Sequence, residues 1–318
     1  MDVVLAGQGR SLRDCRSLLT LAGFEVSGEL NIDSKCPVIL GDLPHLFSQA
    51  LQLIEAGRDI LIASPQSLSA AQLASLLAGR KTRQAVFVWN ERRYHPAYRL
   101  VSGLIRSDEA GWRPRYVRQS ALSDERPSAS LLRWRMNESL ALAIELAGRE
   151  PEVLTARGAA NPWRGAMDFL SVAIELQGVN AFVEAGLGEA FSRRETVLAA
   201  HDRKAYIDEL NPSVPVRLAD DDDPAPGSRS VSCASPGPAE LARLQCVAFL
   251  EGVASAWRCQ AEADLWLRVI GCWEAIESSL AAPGLAVQVT EPAATGLKVL
   301  SGRGLQSASV TPPLRVVS

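Results

Sequence analysis

Histidine is scarce: the 318 residues hold three, at positions 45, 95 and 201. None is spaced with a second histidine or a cysteine as a metal site requires. Six cysteines are present, at 15, 36, 233, 246, 259 and 272, and no two form a C-x-x-C pair. The last four recur every 13 residues, a step that turns a helix by about 220°, so neighbours would not share a face. Reduced, mostly buried thiols in a cytoplasmic protein are expected instead. No apolar run reaches the roughly 18–20 residues that span a bilayer. The stretch Met1 to Gly7 carries Asp2 and no basic residue, so it does not read as a signal peptide. Positive charge is not in excess either. With 33 Lys and Arg against 36 Asp and Glu, the net charge of −3 leaves no footprint for nucleic acid or an anionic membrane. A G-x-S-x-G elbow, which would mark a serine nucleophile, is missing.

What remains is the composition of an ordinary globular protein, 47% hydrophobic and 22% charged, in a chain long enough for two domains. Val3 to Ala6 is a short apolar run that ends in Gly7-Gln8-Gly9. Residues 11–22 follow with helical spacing, and Gly23 closes them. Phe24 to Gly28, Pro37 to Leu40, Asp59 to Ala63 and Ala85 to Trp89 read as further strands. Helices over His45 to Ala56 and Ser69 to Ala78 separate the later ones. Strands alternating with helices predict a parallel, doubly wound sheet over residues 1–90.

Residues 91–318 read differently. Tyr98 to Ile105 and Leu131 to Ala147 are helical, and Arg115 to Ala121 is extended. Extended segments then succeed one another at 151–157, 167–177, 179–186, 194–200 and 204–209, with Gln177-Gly178 as a hairpin turn. That succession predicts a second, mainly antiparallel sheet. The Pro-, Gly-, Ser- and Asp-rich stretch 219–238 reads as a surface loop. Its aspartates lack the alternating ligand spacing of a calcium loop. Two helices follow near 239–256 and 260–281. Trp266 and Trp273, seven apart, belong on one buried face.

The order of these pieces resembles the Gfo/Idh/MocA family, which joins a Rossmann domain to an open-sheet domain. Gly7-x-Gly9 stands where the family has its phosphate loop. Ala50 to Ile62 resembles the helix–glycine–strand unit before the family's Glu-Lys-Pro, and Asn90 to Ala97 the segment after its last Rossmann strand. Asp168 to Gly186 is similar to the long hairpin of its second domain, and residues 239–289 to its closing helices and last strand. The resemblance implies an α/β fold: a truncated Rossmann-like parallel sheet, then an α+β domain with a mainly antiparallel open sheet. It also implies a homodimer joined through that open sheet.

Against the family's chemistry, the sequence departs at four places. A dinucleotide turn takes three small residues and an acid about twenty residues on. Gly7 and Gly9 are present, Arg10 follows, and Glu29 suits the ribose, but the third position is Leu12. Only residues 29–36 separate the second and third strands, where the resemblance implies a whole further crossover unit. The family's Glu-Lys-Pro is here Ala63-Ser64-Pro65, and serine is a poor general acid. No histidine lies on the helix of the second domain, where Glu138 stands nearest the expected position. Glu138 reads either as a surface glutamate or as a base with a raised pKa. These losses predict a pseudoenzyme without a cofactor: a binding or accessory protein for a peptide, a protein partner or a small molecule, as in a natural-product pathway. The alternative is an NAD(P)-dependent oxidoreductase with a shortened cofactor site, or an enzyme of changed chemistry such as a hydrolase. The candidate catalytic residues are Ser64 and Glu138, and the candidate cofactor residues Gly7, Gly9, Arg10 and Glu29.

Overall fold

The computed structural model describes residues 2–290 apart from 8–15, 18, 21–24, 29–35, 44, 108–110, 161–166, 214, 221–228, 232, 234–235 and 254. The first sheet is parallel. It contains β1 (Asp2–Ala6), β2 (Glu25–Ser27), β3 (Val38–Leu40), β4 (Ile60–Ile62) and β5 (Val86–Val88), in the order β2-β1-β3-β4-β5. Strands β3, β4 and β5 are Val-Ile-Leu, Ile-Leu-Ile and Val-Phe-Val, buried at every residue. Uninterrupted apolar triplets are what a parallel sheet covered on both faces requires. The helices used below are α1 (Leu46–Glu55), α2 (Ala70–Gly79), α3 (Pro96–Arg106), α4 (Ala129–Ala147), α5 (Pro238–Val253) and α6 (Ala256–Ala281).

Helices α1 and α2 cover the face that holds Val38, Leu40, Ile60 and Ile62. A capping box starts α2, in which Ser69 Oγ accepts from the Gln72 amide and the Gln72 side chain accepts from the Ser69 amide. The opposite face, with Ile39, Leu61 and Phe87, is covered by α5 from the far end of the chain. There Phe249 meets Phe87 edge to face, with ring centroids 5.5 Å apart. Gly252 leaves room for the same ring, since a Cβ would lie 2.6 Å from Phe87 Cζ.

The second sheet contains β6 (Pro114–Ser123), β7 (Val153–Ala160), β8 (Met167–Leu176), β9 (Val179–Leu187), β10 (Arg193–Ala200), β11 (Arg203–Asp208), β12 (Val216–Asp220), β13 (Arg229–Val231) and β14 (Val287–Gln288). Their order is β13-β12-β11-β10-β6-β9-β8-β7-β14, antiparallel throughout except between β6 and β9. The chain is thus α/β with a parallel sheet and a mostly antiparallel one, as the sequence predicts. Alternate residues of β8 and β9, such as Leu170, Val172, Ala181 and Val183, are buried in the core shared with α4. Gln177 and Gly178 take φ of 45° and 82°, the left-handed pair of a tight hairpin turn.

One sequence reading changes. The stretch 219–238 is not wholly loop, because β12 runs to Asp220 and β13 pairs with it over Arg229–Val231. Both strands are short, too brief for alternation to show in the sequence, and β13 is the sheet's edge. Asp221, Asp222 and Asp223 lie outside the described residues. Among the described residues, no helix is long and apolar enough to cross a membrane.

Candidate functional site

Strand order reverses between β1 and β3: the chain moves outward to β2 on one side and to β4 and β5 on the other. Parallel sheets bind ligands at the carboxyl ends of the strands beside such a reversal. Gly7 closes β1 with φ +110°, and a Cβ there would lie 2.8 Å from the Asp42 carbonyl and 2.9 Å from Leu43 Cγ. Only glycine fits, which is the task of the first glycine in a dinucleotide turn. Ser67 Oγ donates to Asp42 Oδ1 at 3.1 Å, tying the loops after β3 and β4. Gly9, Arg10, Leu12 and Glu29 lie outside the described residues. The chain passes from β2 to β3 within residues 28–37, and β2 is an edge strand of the sheet.

After β4, Ser64 is buried and opens a 3-10 turn over Pro65–Ser67, with its side chain capping nothing. Helix α4 lies against this turn. Its Arg133 Nη2 donates to the carbonyls of Gln66 and Leu68 at 3.2 and 2.6 Å. After β5, the Asn90 amide donates to Gln245 Oε1 at 3.0 Å, while Gln245 Nε2 donates to the Val88 carbonyl. Asn90 Nδ2 reaches across to the Glu138 carbonyl at 3.3 Å, and its buried Oδ1 has no partner.

The next residue, Glu91, opens the short 3-10 turn after β5. Burial raises its carboxyl pKa to about 7, and the neighbouring Glu138 adds to the rise against the pull of Arg194 and Arg135. Glu138 itself is not a surface residue. Its side chain is 3% exposed and clamped by Arg135, whose Nη1 lies 2.9 Å from Oε2. Arg135 also grips Glu125 at 2.9 Å. Burial alone would raise the Glu125 carboxyl, but Arg135 outweighs it and holds it below the usual range. Deeper in, Arg92 and Glu209 form a buried pair at 2.6 Å, with side chains 1% and 5% exposed. Tyr98 donates to Glu209 Oε1 at 2.8 Å. Burial pushes the Glu209 carboxyl up, and Arg92 more than reverses this. Arg194 projects from β10 on the side of Thr196 and Leu198, which are buried, and faces Glu91, Glu125 and Glu209. Arginines 92, 135 and 194 therefore meet glutamates 91, 125, 138 and 209.

Of the sequence candidates, Gly7 and Ser64 follow β1 and β4 at the carboxyl edge of the first sheet, and Glu138 lies on α4, the helix that packs on the turn after Ser64. Glu91 is not among the sequence candidates, since in sequence Asn90 to Ala97 only resembles the segment after the family's last Rossmann strand. The one available signal was its place directly after β5, at a carboxyl end of the sheet. The histidines have local settings. His95 is buried as the cap of α3, its Nδ1 accepting from the Ala97 amide, while His45 and His201 are exposed and His201 pairs with Asp202. Among the described residues, no group of histidine, cysteine and acidic side chains could hold a metal ion.

No protein-family model and no curated protein matches the sequence. Solved structures do match. UDP-N-acetylglucosamine 3-dehydrogenase GnnA from Acidithiobacillus ferrooxidans aligns at 20% identity and a TM-score of 0.71, over 89% of this chain and 98% of that one. An NAD binding oxidoreductase from Klebsiella pneumoniae aligns at 15% identity and 0.74, over 92% and 100%. Levoglucosan dehydrogenase, in complex with NADH and L-sorbose, aligns at 16% and 0.72, over 92% and 99%. At these identities the likeness is one of fold, and the fold is that of NAD-binding dehydrogenases. It corrects the expectation of a non-catalytic, cofactor-free binding protein. That expectation rested on the family residues replaced by Leu12, Ser64 and Glu138. About nine-tenths of the chain aligns with these structures, and Glu91 stands just beyond a carboxyl end of its parallel sheet.

Proposed function

We propose that this protein is an NAD(P)-dependent oxidoreductase that interconverts a secondary alcohol and a ketone, with Glu91 carrying the proton. The observation that supports this most is the Glu91 carboxyl itself, set near neutrality at the carboxyl end of β5. A carboxyl titrating there can take a proton or give one at physiological pH. The dehydrogenases of like fold named above act on a sugar nucleotide and an anhydrosugar, so a sugar or polyol is the substrate class proposed here.

The fit of a dinucleotide rests on Gly7. Its positive φ makes the tight turn of such a loop, Gly9 and Arg10 follow it in the sequence, and Glu29 has the sequence spacing of a ribose-binding acid. The direct passage from β2 to β3 supports a site shortened at the adenosine end. When bound, the nicotinamide would supply the acceptor or donor of hydride. In alcohol oxidation, Glu91 takes the hydroxyl proton as the carbon–oxygen double bond forms; in reduction it returns that proton to the oxygen. Ser64, at the position of the family's lysine, offers a hydroxyl to hold the substrate oxygen. The ion pair with Arg135 supports a role for Glu138 other than carrying the proton. The uncovered face of the second sheet, where Tyr116 is exposed, supports the homodimer, which sedimentation would measure.

The test is cofactor binding followed by turnover. NADH or NADPH should quench tryptophan fluorescence and raise the melting temperature, since a ligand stabilises the state it binds. A panel of polyols and sugars should then yield NAD(P)H. Glu91→Gln should lower kcat by about 10²-fold or more while leaving cofactor affinity in place. Failure of both cofactors to bind would overturn this reading.

A further inference from the structure

A single side chain closes the outer edge of β5. That strand is an edge of the first sheet, and on its inner side the Trp89 amide donates to the Ile62 carbonyl of β4 at 2.9 Å. The trans peptide that turns the Trp89 N–H inward turns the Val88 carbonyl outward, and the Asn90 amide points the same way. Gln245 of α5 meets both groups. Its Oε1 accepts from the Asn90 amide at 3.0 Å, and its Nε2 donates to the Val88 carbonyl at 3.0 Å. A carboxamide carries the donor and the acceptor of a peptide group, so Gln245 stands in for one residue of a further strand. We propose that Gln245 is a positioning residue that seats Glu91 by fixing the strand end from which Glu91 springs. The inference deepens the oxidoreductase reading and rests on it for its effect on turnover, but the seating of Glu91 can be read without turnover.

Among the described residues, no hydrogen bond or ion pair holds the Glu91 carboxyl itself, so its place is set by its backbone. That backbone hangs from Asn90. The Asn90 main chain is tied to α5 through Gln245, and its Nδ2 is tied to α4 through the Glu138 carbonyl at 3.3 Å. Its own carbonyl accepts from the Arg93 amide at 3.3 Å, which starts the turn. Gln245, Val88 and Asn90 are all fully buried, so water does not stand in for the two bonds once the carboxamide is gone. The inner bond from Trp89 to Ile62 does not involve Gln245. Loss of the carboxamide therefore frees the strand end without unzipping the sheet. Burial is the first cause of the raised Glu91 carboxyl, so a turn that slips towards water shows as a fall in its midpoint. Glu138 and Arg135 of α4, Arg194 of β10 and Glu209 also bear on that carboxyl, and the variants below leave all four in place.

The test follows the Glu91 side-chain carboxyl by NMR of protein labelled with carbon-13 in its glutamates, with Glu91→Gln identifying the resonance. Its midpoint is expected near 7 in the unmodified protein. Gln245→Met fills the same space but neither donates nor accepts, and should lower the midpoint by about one unit or more. Gln245→Asn keeps the carboxamide but withdraws it by a methylene, and should lower the midpoint by about half a unit. Phe249→Leu is the control. It loosens α5 on the same sheet one helical turn away, so it should lower the melting temperature and leave the midpoint where it was. An unmoved midpoint in folded Gln245→Met, or an equal fall in Phe249→Leu, would overturn the proposal. Should Gln245→Met fail to fold, Gln245→Asn carries the test on the same terms. In turnover, Gln245→Met should cut kcat about tenfold while KM and NAD(P)H affinity stay in place. The two readings fail separately. A fallen midpoint in a protein that binds neither NADH nor NADPH would sink the oxidoreductase and leave the seating intact. Turnover that needs Glu91, with a midpoint indifferent to Gln245, would do the reverse.

Discussion

The indole of Trp134 lies flat on that of Trp266, with ring centroids 5.5 Å apart and planes 12° from parallel. This contact joins α4, which carries Glu138, to α6 on its flank. Trp266 is fully buried and donates its Nε1 hydrogen to Glu262, which in turn pairs with Arg93 at 2.6 Å. Trp266→Ala removes the stack and leaves a cavity, at a cost of about 3–5 kcal/mol. Thermal or urea unfolding should show the loss. Trp266→Phe should recover more than half of it, because most of the volume returns.

Gly7→Ala tests the turn at the end of β1. At φ +110° a Cβ meets the Asp42 carbonyl, so both backbone strain and overlap oppose the substitution, together about 1–3 kcal/mol. The displaced loop is the one proposed to face the pyrophosphate. NAD(P)H affinity should fall about tenfold or more, equivalent to about 1.4 kcal/mol or more of binding. A stability loss with unchanged affinity would separate Gly7 from the cofactor site.

Much of this arrangement was legible before any coordinates. The buried triplets of β3 to β5 identify a parallel sheet because two covered faces demand apolar residues at every position. Gln177-Gly178 identifies its hairpin because the turn needs residues tolerant of positive φ. The site was harder to see. Glu91 looks like any polar residue after a strand, since its raised pKa comes from burial and from Glu138, 47 positions away, against the pull of Arg194 on the other sheet. Glu138 looks like a helix-surface acid until Arg135 and the second sheet enclose it. Charge clusters assemble across elements, and no local spacing encodes them. Weighing each site by its missing family residue therefore pointed away from a dehydrogenase, whose fold the solved structures nonetheless share.

The buried pair of Arg92 and Glu209 predicts a pH-dependent penalty. Arg92→Met leaves Glu209 buried without its partner, which costs about 3–5 kcal/mol at neutral pH. In the unmodified protein the Glu209 carboxyl is held below its ordinary range, so its contribution is present above the unfolded value and is lost as pH falls through the folded one. In the variant, a lone buried carboxyl prefers its proton. The gap in stability between the two proteins should thus narrow as pH drops from 7 towards 4. Urea midpoints across that range would measure it, and a constant gap would show that Arg92 acts through packing alone.

Glu91 carries the opposite sign. Its carboxyl titrates near 7 in the folded protein and near 4.5 when unfolded. Below the unfolded value both states hold the proton, and Glu91 contributes no pH dependence. Between about 4.5 and 7 the unfolded chain releases its proton first, so stability falls as pH rises, and above about 7 the full cost is present. Glu91→Gln keeps the shape and removes the charge. The variant should match the unmodified protein near pH 4 and exceed it by about 1–3 kcal/mol at pH 8. A group that weakens the fold at the pH where it would act is a residue kept for some other reason than stability. Proton transfer is such a reason: Glu91→Gln should gain stability and lose turnover together. If it gains stability and keeps full activity, the proton carrier must be sought elsewhere in the cleft.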